Sequence, residues 1–228
     1  MNVSVQKRNA LDDLFGFGKP PCAVVQPRQE SKRSTLISTF VAQNADQHSE
    51  PRRSTDLKAV IEAFVNMLSQ QDVRLVCIDF DNTMIFSVKD PKILRTTDGI
   101  LRSVSPVLLP LMRALHEKGI DIIVTTFNMN PTIPLAFAPL GVPVVARSGL
   151  HSKKTGKLYH IRKAMKLNAK RAKRAKVKPW QVLLIDDYLP NIQAAEDLAV
   201  RTLHNPTTLT ANDLAAYTAR GIAEHTAH

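Results

Sequence analysis

Two carboxylates, Asp79 and Asp81, stand at the end of a short apolar run from Val73 to Ile78, and Thr83 follows them. An apolar run of that length, closed by charge, predicts a strand buried in a sheet rather than a helix. Where a buried strand opens into a crevice, a carboxylate can attack phosphorus and form an aspartyl-phosphate, provided that a cation offsets the repulsion between two anions. Asp79 is the candidate nucleophile. Asp81, two residues on, can protonate the leaving oxygen and then, once ionised, take a proton from the attacking water. The same residue types also suit a plain turn after a strand, because Asp and Asn hydrogen-bond their own backbone.

The run Asp79-Phe80-Asp81-Asn82-Thr83 behind an apolar strand resembles motif I of the haloacid dehalogenase-like (HAD) phosphatases. Further apolar runs follow in the order that this resemblance implies. A helix from Ser105, with Ser105 as N-cap and Gly119 past its end, leads to a strand over Ile120 to Val124 that ends at Thr125 and Thr126. A strand, helix, strand succession forms a right-handed parallel unit, which brings Thr125 to the sheet edge that carries Asp79. A hydroxyl there can donate to a phosphoryl oxygen. The segment IIVTTF resembles HAD motif II with Thr125 in the key place, and Thr126 is a second candidate for phosphate binding.

A third strand is predicted over Val142 to Ala146, and a fourth over Gln181 to Ile185 ends in Asp186-Asp187. The run VLLIDDYLPNIQAAEDL resembles HAD motif IV with its following helix, including Asn191 and the Ala194-Ala195 pair. The resemblance implies a magnesium ion on Asp79, Asp186 and the Asp81 backbone carbonyl, with Asp187 binding directly or through water; magnesium prefers a few carboxylates, waters and substrate phosphate. It also implies one lysine that pairs with Asp79 and stabilises charge developing on the phosphate. Lys157, in Thr155-Gly156-Lys157-Leu158, best resembles motif III, and Lys154 and Lys163 are alternatives. One departure stands out: families of this kind place a glycine after the motif IV helix, where this chain has Leu198-Ala199-Val200.

The remaining elements frame these residues. A helix is predicted from Thr55, with Thr55 or Asp56 as its cap and Leu57, Val60, Ile61, Phe64, Val65 and Leu68 at helical spacing. Met84 to Val104 is irregular and too short for a large inserted lid domain, so the HAD resemblance implies a protein of the minimal-cap type, with little or no cap domain and a site open to bulky substrates. Asn130 to Leu140, with three prolines, allows at most a broken helix. A fifth strand over Val200 to Leu203 and a terminal helix over Thr210 to Gly221 complete the chain. The fold expected is a three-layer, Rossmann-like α/β domain of HAD type over residues 55–222, with a mainly parallel central sheet and a short tail at 223–228.

Charge is unevenly placed. The 228 residues carry a net +11, yet no acidic residue occurs between Ile122 and Ile185, where there are thirteen Lys and Arg. Within this basic segment, 151–178, a helix is expected over Leu158 to Lys176. The cluster Lys170, Arg171, Lys173, Arg174, Lys176 and Lys178 suits a polyanion: phosphate-backbone contact with nucleic acid, an acidic protein partner, or nuclear import, set against a merely solvated helix face. Tyr159 and Trp180 are the aromatics nearby, so a base-stacking platform is not indicated.

Residues 1–54 mix proline with Gln, Ser and Arg without a sustained apolar period, and read as a largely disordered extension. Leu11 to Phe17 and Thr35 to Ala42 are two short pieces that could dock, and Lys32-Arg33-Ser34 and Arg52-Arg53-Ser54 resemble sites for basic-directed kinases. The two cysteines, Cys22 and Cys77, fall in the extension and in the first strand, which argues against a structural disulfide and for a reducing compartment. With no bilayer-length apolar run and no secretion signal, an intracellular protein, cytoplasmic or nuclear, is expected. Together these features imply a magnesium-dependent phosphomonoester hydrolase acting on a phosphorylated substrate, a phosphoprotein or a nucleic-acid end, or alternatively a HAD-fold scaffold that binds nucleic acid or an acidic partner through its basic helix.

Overall fold

Five short runs rich in Val, Ile and Leu pair side by side because each is apolar on both faces and must be covered by helices on both. They form β1 (Leu75–Ile78), β2 (Asp121–Thr126), β3 (Val144–Ala146), β4 (Val182–Asp186) and β5 (Arg201–His204), an all-parallel sheet of order β3-β2-β1-β4-β5. This computed structural model describes residues 51–86, 90–147, 156–173 and 176–226, with only the backbone of 51–56, 91 and 224–226.

Helices cover both faces. On one lie α1 (Pro51–Gln70), α3 (Leu108–Glu117), α4 (Thr132–Phe137) and α7 (Ala211–Thr226), whose Phe64, Leu68, Leu111, Phe137 and Leu214 are buried against Val76, Ile78, Val124 and Ile185. On the other lie α5 (Leu158–Ala172) and α6 (Leu189–Glu196), whose Ile161, Met165, Ile192 and Ala195 are buried against Leu75, Cys77, Ile123 and Leu184. The chain is thus a three-layer α/β domain. Each fully buried Leu, Ile or Phe contributes roughly 1.5–3 kcal/mol, so the two apolar layers hold the sheet as a rigid platform. Cys77 is free and buried, and burial pushes its thiol pKa up to about 12, so it is a core group rather than a nucleophile.

Several boundaries differ from expectation. α1 begins at Pro51, which places Thr55 and Asp56 inside the helix instead of at its cap. Ser105 does not cap α3, whose first turn follows Val107; its hydroxyl donates to the Leu209 carbonyl at 2.7 Å and so ties the loop before α3 to the segment after β5. The irregular stretch after β1 carries a 3-10 turn (Pro91–Arg95) and a short helix α2 (Thr97–Ser103) packed against α4. α5 stops at Ala172 rather than Lys176, with Lys173 left-handed at φ +49°, and Val177 then returns to the core. Gly221 lies within α7 rather than ending it, at a point where α7 packs closely on α1: a Cβ there would meet the Met67 sulfur at 3.0 Å.

The unusual Leu198-Ala199-Val200 turn keeps the geometry that glycine normally supplies. Ala199 takes φ +58°, and the Val200 amide reaches back to the Ala195 carbonyl at 3.1 Å, closing a Schellman-type cap on α6. The proposed docking pieces at 11–17 and 35–42, the Lys32-Arg33-Ser34 motif, Cys22, Lys154 and Arg174 lie outside the described residues. Among the described residues, no helix is long and apolar enough to cross a membrane.

Candidate active site

The strand order reverses between β1 and β4, and in open parallel sheets the crevice beyond the carboxyl ends of the strands at such a switch point is where ligands bind. Side-chain alternation decides what faces that crevice. Asp79, Thr125 and Asp186 each lie two residues beyond a side chain that packs under α5 and α6 (Cys77, Ile123 and Leu184), so all three fall on that face of the sheet. The Asp79 amide donates to the Ile185 carbonyl at 2.9 Å, which fixes the two acidic strand ends side by side.

Into this group projects Lys157, fully buried at the start of α5. Its ammonium donates to an Asp79 carboxylate oxygen and to the Thr125 carbonyl (2.5 Å), and lies 3.5 Å from Asp186 Oδ2. Gly156 makes this placement feasible. At φ +48° it turns the chain under α6, and a Cβ there would sit 3.2 Å from both the Ala194 Cβ and the Asn191 Oδ1. Of the lysines that the motif left open, Lys157 meets Asp79 and Lys163 lies exposed on α5, while Lys154 lies outside the described residues.

The carboxylates hold distinct positions. Asp186 Oδ1 accepts from the Asn191 amide (2.9 Å) and from the Tyr188 backbone (3.0 Å), whereas its buried Oδ2 has no hydrogen bond. Carboxylate oxygens of Asp79, Asp186 and Asp187 all lie within 4.8 Å of one another. An unbonded buried oxygen beside two further hard oxygen donors suits a small divalent cation such as magnesium. Burial, helped by the charges of Asp186 and Asp187 and opposed by Lys157, raises the Asp79 pKa to about 7; burial likewise raises that of Asp186. A cation among the three would favour their ionised forms.

Asp81 belongs to a different environment. Its half-buried carboxylate accepts from the Asn128 amide at 3.0 Å and from the Thr126 hydroxyl at 3.4 Å, and it is not one of the three clustered acids. Thr126, not Thr125, therefore presents its hydroxyl beside Asp81; the fully buried Thr125 hydroxyl turns back to the Ile78 carbonyl at 3.4 Å. Adjacent strand residues face opposite sides of the sheet, which is why only one of the pair reaches this position.

Sequence reasoning missed four further contacts. Asn128 orients Asp81, and Asn82, left-handed at φ +59°, donates to Asp187 at 3.3 Å. Phe127 lies with its ring centroid 4.9 Å from the Lys157 ammonium, and the buried His160 ring stands edge-on to it at 4.8 Å. Burial and the Lys157 charge push the His160 pKa down to about 4, with the backbone of Thr126 and Arg147 pulling the other way, so this ring is neutral near pH 7. The Asn82 signal was present in the sequence, since Asn tolerates a left-handed turn better than most residues. Asn128 and Phe127 followed a strand end without any marked spacing. Of the cationic cluster, Lys170, Arg171, Lys173, Lys176 and Lys178 are exposed at or beyond the far end of α5, remote in sequence from Lys157 at its start.

No family model and no curated protein matches the chain. Among solved structures, a hypothetical protein from Xanthomonas campestris matches with 15% identity and a TM-score of 0.38, covering 72% of this chain and 92% of its own. A candidate 3-deoxy-D-manno-octulosonate 8-phosphate phosphatase from Vibrio cholerae matches with 14% identity and a TM-score of 0.36, covering 69% of this chain and 90% of its own. Likenesses at this level carry no functional weight.

Proposed function

We propose that this chain is a HAD-like phosphatase of the minimal-cap type, a magnesium-dependent phosphomonoester hydrolase in which Asp79 is the nucleophile. The observation that carries the reading is the buried Lys157 ammonium bonded to Asp79 beside an Asp186 oxygen that has no hydrogen bond. A structural ion pair needs one carboxylate. Here two further acids converge on the same point, at a desolvation cost that a binding scaffold has no reason to bear.

Asp79, Asp186 and Asp187, with the Asp81 backbone carbonyl, would hold the magnesium ion, whose charge lets an anionic nucleophile approach an anionic phosphate. Asp79 attacks phosphorus in line with the ester oxygen. The P–O ester bond breaks as Asp81 gives its proton to the departing alcohol, which leaves a phosphoryl group on Asp79. The Asp81 carboxylate, held by Asn128 and Thr126, then takes a proton from a water that attacks the same phosphorus, releasing inorganic phosphate and restoring Asp79. Lys157 favours the ionised form of Asp79 against the effect of burial and offsets charge building on the phosphoryl oxygens.

Hydrolysis of an aryl phosphate with and without magnesium, in the wild type and in Asp79→Asn, tests this. Magnesium-dependent turnover in the wild type and a loss of about 10³-fold or more in the variant are expected, since a nucleophile acting as part of a unit is not replaced by its neighbours. Equal turnover in a folded Asp79→Asn protein would overturn it.

A further inference from the structure

The outer face of α5 is the least explained surface beside this site. Tyr159 lies two residues after Lys157, and Arg162, Lys163, Lys166 and Lys170 follow it at intervals of three and four, so they form one stripe along the helix opposite the buried His160, Ile161, Ala164 and Met165. Tyr159, Arg162, Lys163 and Lys166 line a shallow cleft of about 270 Å³. None of these four cations forms an ion pair among the described residues, and no acidic residue occurs between Ile122 and Ile185. A solvated helix face normally mixes signs; this one does not.

The stripe starts at the crevice. The Arg147 amide donates to the Thr126 carbonyl at 3.1 Å, at the end of the strand whose Thr126 hydroxyl meets Asp81, and its guanidinium stacks 4.0 Å from the centroid of the Tyr159 ring. Tyr159 remains 42% exposed, and Tyr188, the residue after Asp187, is 59% exposed. Both rings thus stand in solvent immediately beside residues of the site. From Tyr159 to Lys170 the helix rises about 16 Å, with a cation on each successive turn. A polymer with a negative charge on every unit matches that repeat. A phosphopeptide, charged at one or a few positions, does not, and inorganic polyphosphate offers nothing to exposed aromatic rings.

Resting on the phosphatase reading above, we infer that the substrate is a single-stranded nucleic-acid end: its terminal phosphate enters the crevice at Asp79 while its following phosphates run along Arg147, Arg162, Lys166 and Lys170 and its bases meet Tyr159 and Tyr188. A stacking platform is not legible in the sequence because Tyr188 is far from the cationic cluster along the chain; the fold brings it to the site next to Asp187. Exposed rings beside a cationic track are the usual means of holding single strands without reading their sequence.

Equilibrium binding of a fluorescent ten-nucleotide single strand with a terminal phosphate, measured by anisotropy on the full-length Asp79→Asn protein over a range of salt, tests this apart from catalysis. Log affinity should fall linearly with log salt, and the triple variant Arg162→Gln/Lys166→Gln/Lys170→Gln should reduce that slope by about 2, following the single-strand coefficient of about 0.7 per phosphate contact, and weaken binding at least tenfold. In an Asp79-intact background the same triple should lower kcat/KM on the strand about tenfold, through KM, and leave an aryl phosphate within twofold. A control triple on other faces, Lys92→Gln/Lys118→Gln/Arg220→Gln, should leave binding within twofold. Equal weakening by both triples, no change in slope, or tighter binding of a phosphopeptide or of inorganic polyphosphate would each overturn the inference. Failure of the wild type to hydrolyse the aryl phosphate counts against the catalytic reading alone, because the binding measurement still decides the surface.

Discussion

Two ends of one charge distribution meet on α5. At its start, Lys157 is stripped of water and bonded to carboxylates from β1 and β4; a few residues on, Arg162, Lys166 and Lys170 are exposed and unpaired among the described residues. The same chemical group therefore acts in opposite ways. In the buried cluster, removing one charge strands another, because an uncompensated ion in a low-dielectric site is costly. On the outer stripe the charges are hydrated, so each one matters to a polyanion that arrives and little to the fold.

Neutralising Lys157 tests the contrast hardest. Lys157→Met should destabilise the protein by about 3–5 kcal/mol, read as a lowered urea midpoint, the cost typical of breaking a buried pair. Added magnesium should recover part of that loss, since a cation among Asp79, Asp186 and Asp187 replaces the missing charge. No recovery would count against a cation site there.

The role of Asp81 can be separated from that cluster by the leaving group. Asp81→Asn should slow transfer of the phosphoryl group to Asp79 by about 10²–10⁴-fold for an alkyl phosphate and by much less for a nitrophenyl phosphate, because a good leaving group needs no proton; the later attack of water, where Asp81 is the base, should slow alike for both. Equal losses in that first step, read as the release of alcohol or nitrophenol in a single turnover, would show that Asp81 is not the general acid.

A smaller effect concerns His160, buried against Phe127 under Lys157. Between about pH 4 and 6.5 the unfolded chain binds a proton at this position that the folded protein does not, so its contribution is fully present above pH 6.5 and is lost as the pH falls towards 4. Asp79, whose folded pKa is raised to about 7, acts with the opposite sign over an overlapping range. The difference between wild type and His160→Leu isolates the histidine: the wild type should lose on the order of 1–2 kcal/mol relative to the variant as pH drops through that window, after allowance for solvent screening. Chemical denaturation at pH 4.5 and pH 7.5 gives the comparison.

The least effect is expected on the stripe. Arg162→Gln/Lys166→Gln/Lys170→Gln should shift stability by no more than about 0.5 kcal/mol per site, in either direction, as exposed substitutions do. A large drop in its thermal midpoint would show that these cations hold the fold, and would erase the contrast with Lys157.

The one-dimensional pattern was sufficient for the α/β alternation, the parallel sheet and the acidic strand ends, since short doubly apolar runs separated by helical periods admit few other arrangements. Asp79 and Asp186 could be placed at one edge because parallel strands share a direction. Three matters were decided only by tertiary structure. Both faces of these strands are buried, so no alternation of polarity marks which of Thr125 and Thr126 turns its hydroxyl to Asp81. Which lysine meets Asp79 depends on how a loop passes under α6, and the left-handed Gly156 that steers it has no neighbour-specific signature. Asn128 and Phe127 gain their roles from groups far away in the chain, Asp81 and Lys157. Local sequence specifies where a side chain leaves the backbone; the packing of distant elements determines what it touches.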